Sequence, residues 1–189
     1  GAFATLPLPD VDAALRELEY ALDTLRLDGV VLLTSIGNKY LGDPAFEPLF
    51  DELDHRKAVV YTHPNIPPGF DVPELVLPAP LIEFIFDTTR AATNMVLSGT
   101  LERHPDIKPI LSHAGGAIPY VAGRIALVDD NPLVSGNIPG GAVAALQRFY
   151  YDTALSATRY ALPSLRELAD PIHILFGSDY PFAPDGMTG

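Results

Sequence analysis

Three side chains that can bind a metal ion or transfer a proton stand directly after apolar runs of the sequence. His63 follows "AVVYT" at 58–62, His113 closes "IKPILSH" at 107–113, and Asp179 follows "ILFGS" at 174–178. The chain has no cysteine, and imidazole and carboxylate groups are the ligands that zinc or manganese takes where no thiolate is present. The pattern therefore indicates metal-assisted or acid–base chemistry at the ends of strands.

The other polar residues of this kind have simpler interpretations. We place His55 and His104 on the surface, and His173 at the start of a strand, where a barrel carries no function. Asp152, inside "RFYYDTA" at 148–154, is explained by hydrogen bonds to backbone, and Asp179 alone is explained as a turn residue. The metal-site hypothesis thus depends on a shared position, not on any one residue.

The elements that would position these side chains alternate regularly along the chain. Each short apolar run is followed by a longer stretch with an apolar face at steps of three and four residues, which is typical of a helix after each strand. Such a repeat predicts parallel strands joined by right-handed crossovers. Strands are predicted at 3–6, 29–33, 58–62, 107–113, 148–154 and 171–177, and helices within 9–27, 43–56, 81–103, 118–128, 140–147 and 158–169.

Two architectures fit this repeat, a doubly wound sheet and a barrel. No G-x-G-x-x-G follows the first strand and no phosphate-binding loop is present, which weakens the nucleotide-binding version. We therefore predict a (β/α)8 TIM-type barrel truncated to about six βα units. The sequence begins with "GAFATLPLPD", which resembles the middle of a strand. We expect residues 1–189 to be one partial barrel domain that lacks N-terminal strands and the last helix.

Composition excludes several classes of partner. Apolar residues make up 48 % of the 189 residues, and the net charge is −12. Lys and Arg form no cluster, so nucleic acid and anionic membranes are poor partners. No apolar run approaches the ~20 residues of a membrane span. We expect a cytoplasmic globular protein that binds a small molecule.

Three segments together resemble one protein family. "VVYTHP", "ILSHAGGAIPYVAGRI" and "ILFGSDYPF" are similar to the metal-dependent amidohydrolase superfamily, in the branch of the aminocarboxymuconate semialdehyde, γ-resorcylate and 6-methylsalicylate decarboxylases. The resemblance runs over all 189 residues. It implies a divalent metal cofactor, zinc in first place and manganese as the alternative.

The resemblance also implies roles for individual residues. His63 and Asp179 would be metal ligands, and His113 would be the catalytic acid/base. Arg124 would recognise a substrate carboxylate, in the active site of the neighbouring subunit of a homodimer. The family takes its remaining ligands from an x-x-His or Glu-x-His motif on the first strand of its barrel, which we expect to precede Gly1 and which this sequence does not contain. We therefore expect the isolated 189-residue chain to bind metal weakly and to be nearly inactive.

The function that follows is a metal-dependent, non-oxidative decarboxylase acting on a small aromatic or related unsaturated carboxylic acid. Either His113 or Asp179 would carry the proton. Phe70, Tyr180 and Phe182 would line a pocket for the aromatic acid, and the alternative for these three residues is a place in the core. The alternatives are a lactone or amide hydrolase on the same barrel and an inactive truncated barrel. For Arg124 the alternative is a surface ion pair with Asp129 or Asp130.

Overall fold

A computed structural model describes residues 1–66, 78 and 80–183. Its strands are β1 (Phe3–Thr5), β2 (Gly29–Leu33), β3 (Ser35–Ile36), β4 (Lys39–Tyr40), β5 (Val59–His63), β6 (Lys108–Leu111), β7 (Tyr150–Asp152) and β8 (Ile174–Leu175). Its helices are α1 (Val11–Glu19), α2 (Glu47–His55), α3 (Pro80–Leu97), α4 (Thr100–Arg103), α5 (Ile118–Ile125), α6 (Ala142–Leu146) and α7 (Leu162–Leu168).

Six of the strands form one parallel sheet in the order β1-β2-β5-β6-β7-β8. The spatial order follows the chain order, so each helical stretch is a crossover between neighbouring strands, as in successive units of a (β/α)8 barrel. The six predicted strands and the truncated barrel are thereby confirmed. The sheet aligns the carboxyl ends of all six strands along one rim.

The two faces of the sheet are buried to different degrees. One face lies fully buried in the core beneath the helices, where it contributes Val30, Leu32, Val60, Leu111 and Tyr151. Alternate residues, among them Tyr61, are half-buried on the other face. Because side chains alternate along a strand, His63 shares that second face with Tyr61, two residues earlier. His63 is therefore presented on the less buried face of the sheet.

Local signals explain where α1 and α2 begin. The Asp10 side chain accepts a hydrogen bond from the backbone N–H of Ala13 at 2.9 Å and so caps α1. Asp43 does the same for the turn that leads into α2, with Pro44 directly after it. Both caps were predicted from the sequence order of a capping residue before an apolar periodic stretch.

His104 was predicted on the surface, and this prediction is wrong. Its side chain is buried between α2 and α4, where its ring stacks on Phe50 and its Nε2 lies 3.0 Å from Glu47 Oε1. Arg103 also donates two hydrogen bonds to the Glu47 carboxylate, at 2.6 and 3.0 Å. A cation therefore already neutralises this acidic group, which identifies the cluster as an ion-pair network between helices.

Two further features complete the fold. The short antiparallel hairpin of β3 and β4 was not predicted, because strands of two residues carry no periodic signal. His55 is exposed, as predicted. Within the described residues, no helix combines the length and the apolar character that crossing a bilayer requires.

Candidate metal centre

His63, His113 and Asp179 come together at the carboxyl ends of β5, β6 and β8. Each offers one ligand atom, and these atoms all lie within 4.8 Å of one another. His113 Nε2 is 3.7 Å from Asp179 Oδ1, and the two imidazole rings have centroids 5.6 Å apart. The prediction that these three side chains cluster on one face of a parallel sheet is confirmed.

The ring of His63 is held in one tautomer. Its Nδ1 lies 2.9 Å from the carbonyl oxygen of Pro64. A carbonyl oxygen only accepts, so Nδ1 carries the proton and the lone pair of Nε2 is free. Metal-binding histidines are fixed in this way, by donating the second ring N–H to a carbonyl or carboxylate. The edge of the ring also contacts Phe84, at a centroid distance of 5.8 Å.

His113 stands in a strained turn directly after β6. His113 and Ala114 both have left-handed backbone angles, with φ of +54° and +56°. Non-glycine residues in this region cost energy and need support from their surroundings. The support is a hydrogen bond of 2.8 Å from the His113 backbone N–H to Asp152 Oδ1. Strain held in this way at a strand end is typical of functional sites.

The His113 imidazole is almost fully buried. Burial lowers its pKa, against the opposing effect of the negative charges of Asp152 and Asp179. The ring is therefore neutral near pH 7 and can bind a cation or accept a proton. Its Nδ1 is a buried atom with no hydrogen-bond partner among the described residues.

Asp179 belongs to the loop that follows β8, and it also begins a turn. Its backbone has φ of +57°, and its carbonyl accepts from the N–H groups of Phe182 and Ala183 at 2.8 and 3.0 Å. The carboxylate itself is only 17 % exposed and faces His113. The turn interpretation is thus correct for the backbone, while the side chain belongs to the cluster.

The three groups fit a divalent cation. Two imidazoles and a carboxylate form a donor set that zinc or manganese accepts. The 3.7 Å between His113 Nε2 and Asp179 Oδ1 is within reach of one ion with bonds of about 2.0–2.2 Å. The free Nε2 of His63 leaves a ring nitrogen available to such an ion.

Other residues singled out from the sequence lie elsewhere. Arg124 is exposed on α5, and the structure does not bring it to the cluster. Within the described part of the chain it forms no ion pair with Asp129 or Asp130; Asp129 instead accepts from the Ala142 N–H at the start of α6. Tyr180 and Phe182 are each 83 % exposed, and Phe70 lies outside the described residues.

A buried carboxylate next to His63 was not predicted. Asp87, on α3, accepts hydrogen bonds from the Thr34 hydroxyl and, at 2.9 Å, from the Asn65 backbone N–H. It therefore ties the end of β2 to the residues that follow β5. The signal for it is a lone acidic residue within the apolar pattern "FIFDTTRAATNM".

A family model described as amidohydrolase matches residues 1–188. The 6-methylsalicylic acid decarboxylase of Penicillium expansum is 44 % identical over 188 residues, which are 97 % of this chain and 58 % of that protein.

Solved structures agree with the fold. A crystal structure of an amidohydrolase superposes with a TM-score of 0.90 at 35 % identity, over 100 % of this chain and 60 % of the other. A 2,6-dihydroxybenzoate decarboxylase in complex with 2,6-dihydroxybenzoate superposes with a TM-score of 0.84 at 26 % identity, over 97 % and 60 % of the two chains. The chain spans 58 % of the length of the Penicillium relative.

Proposed function

Because the chain belongs to the amidohydrolase family, we propose that it carries part of the active site of a metal-dependent, non-oxidative decarboxylase of small aromatic carboxylic acids. The observation that carries this proposal is the convergence of His63, His113 and Asp179 at one rim of the sheet. One similar protein is a 6-methylsalicylic acid decarboxylase, and one similar solved structure is a 2,6-dihydroxybenzoate decarboxylase. Both names support an acid of the salicylate type as the substrate.

In this proposal His63 and Asp179 hold the cation, zinc in first place and manganese as the alternative. The ion would act as a Lewis acid that orients the oxygen atoms of the substrate and withdraws negative charge from them. The fixed tautomer of His63 directs its free Nε2 to the ion. The Asp179 carboxylate supplies negative charge, which favours a divalent over a monovalent ion.

The proton chemistry falls to His113 and Asp179, which face each other at 3.7 Å. Decarboxylation breaks the bond between the ring carbon and the carboxylate carbon, and the electron pair stays on the ring carbon. A proton must form the new C–H bond there, while the carboxylate leaves as CO2. We assign delivery of this proton to the His113–Asp179 pair, since the neutral imidazole can take up a proton from solvent and donate it to the ring carbon as the C–C bond breaks.

The rival proposal is hydrolysis of a lactone or amide on the same scaffold. The two are separated by incubating the metal-loaded full-length protein with 6-methylsalicylate, 2,6-dihydroxybenzoate and a simple aromatic lactone. We expect CO2 and a decarboxylated phenol from at least one acid, and no opening of the lactone. Ring opening without CO2 release from any acid would favour the hydrolase.

The variant that tests the assignment of His113 is His113→Asn. Loss of the acid/base group should lower kcat by about 10²–10⁴-fold. His55→Asn is the matched control, because it changes an exposed histidine remote from the cluster. Equal kcat values for His113→Asn and the wild type would contradict the assignment.

A further inference from the structure

Asp152 contacts all three strand ends that carry the candidate site. Its side chain is buried on β7, and the two oxygens of its carboxylate accept three hydrogen bonds. Oδ1 accepts from the backbone N–H of His113 at 2.8 Å and of Ala154 at 3.0 Å, and Oδ2 accepts from the Tyr61 hydroxyl at 2.7 Å.

Two of these hydrogen bonds and one close approach connect Asp152 to the three site residues. The bond to the His113 N–H is direct. Tyr61 stands two residues before His63 on β5, so that its side chain lies on the same face of the strand. Gly177 stands two residues before Asp179, and a Cβ on Gly177 would lie 2.8 Å from Asp152 Cγ. The segment after β8 therefore passes directly against the Asp152 carboxylate.

The hydrogen bond from the His113 N–H to Asp152 holds a backbone that would otherwise leave its strained left-handed conformation. His113 and Ala114 are consecutive left-handed residues without glycine, a conformation that persists only when the surroundings fix it. A hydrogen bond from a backbone N–H to a buried carboxylate is stronger than one between neutral groups, so it is suited to this purpose.

Asp152 is not free to act on a substrate. Both oxygens are occupied by donors from the protein. The Tyr61 hydroxyl donates to Oδ2, and the backbone N–H groups of His113 and Ala154 donate to Oδ1. The carboxylate is thus locked between three fixed donors.

We propose that Asp152 is a positioning residue: it fixes the turn at His113 and spaces the ends of β5, β6 and β8, so that the His113 imidazole meets His63 and Asp179. The catalytic part of this inference rests on the proposed decarboxylase function. The geometric part stands without it, and the test separates the two.

The test compares two variants of the metal-loaded full-length protein. Asp152→Ala removes all three bonds, and misplacement of His113 should lower kcat by about 100-fold with little change in KM. Asp152→Asn keeps an oxygen for the His113 N–H and presents its amide group to the Tyr61 oxygen, so kcat should stay within about tenfold of the wild type. Asp10→Ala is the control for loss of a carboxylate bonded to a backbone N–H, since it affects only the cap of α1.

A second readout does not depend on activity. The backbone amide of His113 should be protected from hydrogen exchange in the wild type and in Asp152→Asn, and should exchange rapidly in Asp152→Ala. The affinity for Mn²⁺, added alone to metal-free protein, should fall about tenfold in Asp152→Ala and should be unchanged in Asp152→Asn. If the wild type decarboxylates no acid, the proposed function fails, while exchange and Mn²⁺ binding still decide the role of Asp152.

Two outcomes would overturn the proposal. One is an Asp152→Ala protein with wild-type kcat, exchange protection and Mn²⁺ affinity. The other is an Asp152→Asn protein as impaired as Asp152→Ala, which would assign the effect to charge instead of position. If Asp152→Ala does not fold, Tyr61→Phe replaces it, because it removes one donor with almost no change in volume. A several-fold fall in kcat at constant KM is then expected, and an unchanged kcat would overturn the proposal.

Discussion

Tyr40 is a half-buried phenol beside Asp87 and Arg90, and its ionisation should limit stability in alkaline solution. Burial first, and then the charge of Asp87, raises the pKa of Tyr40 from 10.0 to about 12. The folded state therefore keeps a proton that the unfolded chain releases near pH 10. The resulting stabilisation is complete below pH 10 and is lost as the pH rises toward 12.

The measurement is the free energy of unfolding in urea across this range. Tyr40→Phe should reduce the decrease in the free energy of unfolding between pH 10 and pH 12. The reduction is at most about 3 kcal/mol for a pKa shift of this size. Tyr120→Phe, at a tyrosine that is 88 % exposed, is the control and should leave the decrease in the free energy of unfolding unchanged. The same slope in the wild type and in Tyr40→Phe would show that Tyr40 ionises equally in both states.

At the scale of single residues, the sequence predicted the site residues better than the buried polar residues that hold the structure around them. His63, His113 and Asp179 were found because each directly follows an apolar strand, a signal that is local in the chain. Asp152 was recognised only as a partner of backbone, and its bond to Tyr61 joins residues 91 positions apart. The burial of His104 against Glu47, 57 positions away, is equally non-local. Pairings of this kind depend on tertiary packing, which periodicity does not reveal.

The turn from β6 to α5 shows how one element positions the site. Gly116 has φ of +66°, and a Cβ there would overlap the carbonyl oxygen of Ile85 on α3. Gly116→Ala should therefore push α3 away from the turn that holds His113. We expect a loss of stability of about 2 kcal/mol or more, with reduced metal affinity.

The matched control for this turn is Gly123→Ala. Gly123 lies within α5, and a Cβ there would meet nothing within 4 Å. Alanine favours a helix interior, so this variant should gain about 0.5–1 kcal/mol. Thermal unfolding of both variants checks the pair, and a Gly116→Ala protein as stable as the wild type would refute the role of the turn.

The elements themselves were largely predictable, because their signals are short-range. Apolar runs marked the six parallel strands, steps of three and four marked α1, and a capping Asp43 before Pro44 marked α2. Boundaries were less accurate: the run at 171–177 contains only the two paired residues of β8. Pairing ends at Leu175, four residues before Asp179.

At the scale of the whole molecule, Arg124 supplies the argument for a dimer. It is exposed on α5 and makes no ion pair within the described part of the chain, so its guanidinium is free to meet another subunit. We propose a homodimer in which Arg124 binds the substrate carboxylate in the neighbouring active site. A guanidinium binds a carboxylate through two parallel hydrogen bonds, which a lysine cannot copy.

Arg124→Lys in the full-length protein tests this arrangement. We expect kcat/KM to fall more than tenfold, which corresponds to about 1.4 kcal/mol of transition-state binding. Arg166→Lys, at another exposed arginine on α7, is the control. Unchanged kinetics with an unchanged unfolding temperature would leave Arg124 as a surface residue and remove the argument for the dimer.

The central claim is that His63 and Asp179 hold a divalent metal ion beside His113, and Mn²⁺ binding to the metal-free full-length protein tests it most directly. Electron paramagnetic resonance measures the free ion during a titration. We predict one ion bound per chain, and an affinity at least about 100-fold weaker in His63→Asn, which loses the ring nitrogen of a ligand. His55→Asn should bind as the wild type does. Equal Mn²⁺ affinity in His63→Asn and the wild type would contradict the account.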